Sequence, residues 1–130
     1  MAALDTNVVV RLIVNDDVAQ AEAAERLVAS ERCTVSVAVL MECVWVLRAC
    51  YGIEDAVIAA SLRDLISLDQ IDALEPGFAD RALRGYEAGL DFADALHLAQ
   101  CPDGHGLATF DRKLAARARR LGWAGVHLLA

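Results

Sequence analysis

Five carboxylates stand out by position. Asp5 closes the short apolar opening of Leu4-Asp5-Thr6-Asn7, and Asp111 closes a similar stretch, Ala108-Thr109-Phe110-Asp111. Glu42 lies within Val37 to Leu47, the most apolar run of the chain. An unpaired carboxylate buried there would cost several kcal/mol or be forced neutral, so something must meet it. Asp91 and Asp94 are three residues apart, which places both on one side of a helix's first turn. Three of the acids also have a plainer reading: Asp91 and Asp111 as helix N-caps, and Glu42 as a partner of Arg48 or another arginine. Taken together, these acids without one obvious buried basic partner point to a hard divalent cation. Oxygen donors at a cleft suit Mg²⁺ or Mn²⁺, which can activate water and stabilise charge on a leaving oxygen. That chemistry is phosphodiester hydrolysis, and the cation lets an acidic cleft accept a phosphate.

The elements that must position these acids follow from patterning. With 25 alanines and long runs free of Gly and Pro, the chain reads as mostly helical. Helical patterns cover 17–30, 36–50, 54–67, 76–88, 91–100 and 111–121, with Asp17, Ser36, Asp91 and Asp111 as N-caps and Pro76 in a first turn. Short strands are expected at 2–6, 32–35, 71–74 and 106–109, with a fifth at 125–128. Strands alternating with helices imply an α/β domain whose parallel sheet is covered on both faces. In the order 3-2-1-4-5, strands one and four are neighbours, and Asp5 and Asp111 converge where the strand order reverses. No repeat, linker or low-complexity segment interrupts the 130 residues, so one continuous domain is expected.

Composition narrows the function. An apolar fraction of 57% excludes intrinsic disorder, and no stretch is long enough and free enough of charge to span a membrane. Asp5 and Arg11 interrupt the apolar start and no small-residue cleavage site follows, so secretion is not expected. The four cysteines form no CxxC pair and have no metal-ligand spacing to His97, His105 or His127, which suggests reduced thiols and a cytoplasmic address. A net charge of −7 argues against gripping nucleic acid by bulk charge. Arg112, Lys113, Arg117, Arg119 and Arg120 nevertheless crowd into nine positions, either to meet an anion or as a solvated helix face. His97 is expected as a core histidine rather than one that approaches the cleft, and Trp45 and Trp123 as packing residues rather than rings that stack a base.

These residues resemble the PIN-domain ribonucleases, and within them the VapC-type toxins of toxin-antitoxin pairs. The segment 4–17, Ser36 with Glu42, the run from Asp91 to Ala99, and Thr109-Phe110-Asp111-Arg112-Lys113-Leu114 are similar to the family's four motifs, in order. The resemblance implies a three-layer α/β/α fold with a parallel sheet of four to five strands. It implies metal-dependent endoribonuclease action on single-stranded RNA, with a metal-activated water as nucleophile. Asp5, Glu42, Asp94 and Asp111 would then hold Mg²⁺ or Mn²⁺, with Asp91 a ligand through water or an N-cap. Thr6, Asn7, Ser36 and Thr109 would steady the carboxylates by hydrogen bonds. Arg112 and Lys113 would contact RNA phosphates.

The resemblance also implies a homodimer restrained by a VapB-like antitoxin. The alternatives are a PIN nuclease in housekeeping RNA processing, an RNA-binding PIN-like domain without catalysis, and a Mg²⁺-binding receiver-like signalling domain. The last needs a phosphoacceptor Asp after the third strand and a Lys near the last, whereas the single lysine is Lys113. A dehalogenase-type phosphatase would want Asp where Asn7 stands.

Overall fold

The structure is a computed structural model that describes residues 1–102, 105–123 and 125–130. The chain divides into two compact units, Met1–Ala79 and Asp80–Ala130. In the first, β1 (Ala2–Ala3), β2 (Cys33–Val35) and β3 (Ile71–Ala73) form a parallel sheet with β2 in the middle. Ala2 pairs with Cys33, and Cys33 with Ile71. The helices α1 (Thr6–Ile13) and α2 (Val18–Ser30) lead from β1 to β2, and α3 (Val37–Ala49) and α4 (Asp55–Ile66) lead from β2 to β3. Parallel strands need such crossovers, because a tight turn cannot return the chain to the same end of the sheet.

The helix α1 was not expected. Val8, Val9, Val10 and Ile13 are β-branched and stiff at χ1, which weakens their helical signal. Burial decides against that weak preference. Thr6, Val9 and Val10 are buried at helical spacing, and Asp5 caps the start. At the far end, the Arg11 guanidinium donates to Gln20 at 2.7 Å, Tyr51 at 3.0 Å and Asp16 at 3.1 Å. The helix α3 buries Leu40, Cys43, Val44 and Leu47, the i, i+3, i+4, i+7 stripe of an amphipathic helix, although its composition is apolar nearly all round.

In the second unit, which takes in most of α5 (Pro76–Glu87), the elements are α6 (Phe92–Ala99), β4 (Ala108–Thr109), α7 (Arg112–Arg120) and β5 (His127–Leu128). Leu90, Ala95, Leu98, Leu114 and Ala118 form its core, with Leu107, Trp123 and Val126 packed against it. Gly85 lets α5 approach α6 closely: a Cβ there would lie 2.9 Å from that of Ala95. Tyr86 and Phe92 meet edge to face with ring centres 5.3 Å apart.

Two sheets take the place of the single sheet expected. The order 3-2-1 is found in one and the parallel pair β4-β5 in the other. β1 pairs with β2 and β4 with β5, and strands one and four are not paired with each other among the described residues. All five strands fall inside their expected segments, each shorter than expected by one to three residues. No helix among the described residues is long and apolar enough to cross a membrane.

Candidate functional site

In the first unit the candidate acids are carried by the start of α1 and the middle of α3. Asp5 follows β1 after one residue, and its Oδ1 accepts a hydrogen bond from the Val8 N–H at 3.1 Å. One of the unsatisfied donors at the helix start is thereby met, and the carboxylate is held at the positive end of the helix dipole. Thr6 is 8% exposed, and its carbonyl accepts from the Cys43 thiol at 3.9 Å, which ties the start of α1 to the middle of α3. Burial pushes the Cys43 thiol up to about 12, and the charges of Glu42 and Asp5 push in the same direction. The two acids therefore act on one buried thiol.

Glu42 itself is exposed, on the side of α3 away from the buried stripe. The expectation that it is buried and needs a partner is thereby corrected, since a helix apolar on every side hides which face meets solvent. Arg48, the nearest basic residue in sequence, pairs with Asp55 at 3.1 Å. Ser36 caps α3 by accepting from the Val39 N–H at 3.1 Å, and Asn7 is exposed in the first turn of α1.

In the second unit three acids share one neighbourhood. Asp91 caps α6, accepting from the Ala93 N–H at 3.2 Å, and Asp94 lies in that helix's first turn. Asp111 caps α7 through the Leu114 N–H at 3.0 Å, while its own N–H donates to the Thr109 hydroxyl at 3.0 Å. Thr109 thus orients the residue that carries the acid. Partial burial, and then the negative charges of Asp91 and Asp111, hold the Asp94 carboxyl above its ordinary value. His97 and Arg117 pull it back down. His97 is exposed one turn beyond Asp94, not in the core as expected. Arg112 and Lys113 are exposed beside Asp111, and the Arg112 guanidinium donates to the Ala130 carbonyl at 3.4 Å.

Among the described residues no three His, Cys, Asp or Glu side chains are gathered closely enough to enclose a metal ion. The donor chemistry still fits Mg²⁺ or Mn²⁺. Mg²⁺ keeps several waters and binds through one or two carboxylates and the substrate's phosphate, so a complete protein cage is not required. The raised Asp94 carboxyl also marks negative charge that nearby cations offset only in part.

Two side chains escaped the sequence reading. Trp45, expected to pack, is 63% exposed one turn beyond Glu42 on α3. Phe110 is 76% exposed between Thr109 and Asp111. Trp123, by contrast, packs against the second unit's core as expected. The signal for Trp45 was its spacing: Met41 and Trp45 fall off the buried stripe, and both are exposed. The first unit also carries a groove of about 590 Å³, where Leu12, Ile13, Val28, Leu65 and Leu68 form an apolar lining beside Glu25, Asp64 and Asp69.

Parallel strands joined by helical crossovers, with acids at the start of α1, α6 and α7, define a mixed α/β protein. The family model described as the PIN domain matches residues 2–120, and the chain belongs to that family, whose members are in general nucleases. Comparison with curated proteins gives no significant match, and comparison with solved structures gives none either.

Proposed function

We propose that this chain is a Mg²⁺- or Mn²⁺-dependent endoribonuclease that cleaves single-stranded RNA in the cytoplasm, as the toxin of a VapBC-type pair. The observation that carries the reading is Asp94, held above its ordinary value by partial burial and then by the charges of Asp91 and Asp111, in a chain matched by the PIN family. Like charges packed beside a carboxyl persist where function needs them more than stability does. In this reading the candidate ligands are Asp5, Glu42, Asp94 and Asp111, of which one or two would bind the cation directly, and Asp91 contributes through water. Thr6, Asn7, Ser36 and Thr109 steady those carboxylates, and Arg112 and Lys113 contact RNA phosphates. A bound divalent cation supplies positive charge for the phosphate and makes a nucleophile of water near neutral pH. As water's oxygen bonds to phosphorus and the bond to the leaving oxygen breaks, an acid not engaged with the cation would take the proton from water and pass it to that leaving oxygen.

The partners in this reading are a second copy of the chain and a VapB-like antitoxin. The groove of the first unit supports the latter. Its apolar lining and three carboxylates suit an amphipathic segment flanked by Lys or Arg, and none of its lining residues is basic.

The test is cleavage of a labelled mixed pool of single-stranded RNA by antitoxin-free protein, with Mg²⁺, with Mn²⁺ and with chelator. Cleavage should require the cation. It should fall more than about a hundredfold in Asp5→Asn and Asp94→Asn, beyond the usual effect of losing an outer-shell partner. Cleavage that persists in chelator, or a folded protein that cuts no RNA with either cation, overturns the proposal.

A further inference from the structure

The chain has seven aromatic residues. Tyr86 and Phe92 are buried against each other, Trp123 packs on the second unit's core, and Tyr51 is held by Arg11 and Asp16. Phe78 is half-buried. The two exposed rings are Phe110, immediately before Asp111, and Trp45, one turn from Glu42. Each unit thus exposes one aromatic ring, and in both it adjoins a candidate acid. Singly exposed rings are common on protein surfaces, and what distinguishes these two is that each adjoins a candidate acid.

We infer that Phe110 and Trp45 are stacking platforms for the bases of a single-stranded RNA, and that they position its backbone at the acids beside them. The inference rests on the nuclease reading and goes beyond it by assigning base contacts to two residues outside the family motifs' acids and hydroxyls. Its chemistry is consistent around Phe110. A ring for the base, an acid for the reaction, and the cations of Arg112 and Lys113 for phosphates follow one another in four consecutive residues. Single-stranded nucleic acid is held by this pairing of aromatic faces with cationic backbone contacts, and every base has a face to stack. Duplex RNA keeps its bases stacked inside and offers none to a protein ring. The net charge of −7 gives stacking a larger share of binding than it has in a basic protein.

The test uses the full-length protein with Mg²⁺, a mixed pool of short single-stranded RNA as substrate, and an abasic ribose-phosphate oligomer of the same length as competitor. Phe110→Leu and Trp45→Leu keep an apolar side chain and remove the ring. Both positions are exposed, so melting temperatures should match the parent's. The expected result is a KM about tenfold higher in each variant with kcat unchanged, as loss of one stacked base predicts. Phe110→Trp should restore the parent KM. The abasic oligomer should compete weakly with RNA on the parent and markedly better on each variant, which keeps one of the two rings. An unchanged KM in both variants, with the parent active, overturns the stacking assignment and leaves the nuclease reading standing. A dimer that becomes a monomer in either variant at unchanged KM overturns it in favour of a contact between copies. A folded parent that cuts no RNA overturns both.

Discussion

The two units place negative charge against different neighbours. In the first, the charges of Asp5 and Glu42 fall on the Cys43 thiol, which burial already keeps neutral, so their field changes nothing at neutral pH. In the second, the charges of Asp91 and Asp111 fall on Asp94, a carboxyl that must ionise against them. The first unit's acids thus act on a group that stays neutral, whereas in the second burial and then like charge oppose the ionisation of Asp94, which a cation would relieve. The tryptophans divide the same way. Trp45 faces solvent on the first unit's α3, while Trp123 closes the second unit's core.

The largest effect expected from that contrast is at the tryptophans. Trp123→Ala should destabilise the fold by about 2–3 kcal/mol, a little under the loss at a fully buried aromatic. Trp45→Ala should leave stability within about 0.5 kcal/mol of the parent, as exposed substitutions do. Urea melts of the two variants check this, and an equal loss in both would dissolve the contrast.

Next comes the crowded carboxyl. With Asp94 raised, the folded chain holds more protons than the unfolded one as pH rises above 3.8, so this group's contribution to stability is complete below that value. It is lost as pH rises through Asp94's higher folded value. Asp94→Asn should remove that decline and make the metal-free protein more stable than the parent at neutral pH. Mg²⁺ at a hundred times its Kd should stabilise the parent by about 2.7 kcal/mol, and the variant far less. Thermal melts across pH, with and without Mg²⁺, measure both. Identical pH profiles for parent and variant would show that Asp94 is not under strain.

The smallest effect tests the caps, which are local and alike in both units. Ser36→Ala should cost about 1 kcal/mol, the usual value of a lost N-cap. A loss well above this would mean that Ser36 holds more than the start of α3.

Much of the fold was legible because it is set by neighbours in sequence. Asp17, Ser36, Asp91 and Asp111 all cap the helices expected of them, since a side-chain oxygen meets a backbone N–H two or three residues on. The helix α1 was missed because its valines favour strands and only its burial makes it a helix. For the candidate site, the acids of the four motifs were legible by type and spacing, but their surroundings were not. Glu42 was expected inside and lies outside, His97 likewise, and Trp45 was expected to pack. In each case a helix rich in apolar residues leaves open which side is buried.

The sequence by itself determined the elements other than α1, their caps and the spacing of the candidate acids, because these depend on residue type and on contacts within a turn of helix. The tertiary structure alone decided that Asp94 ionises against two other acids, that Asp5 and Glu42 act on Cys43, and that Phe110 and Trp45 meet solvent. Electrostatic field and exposure are sums over neighbours far apart along the chain, and no local pattern carries those sums.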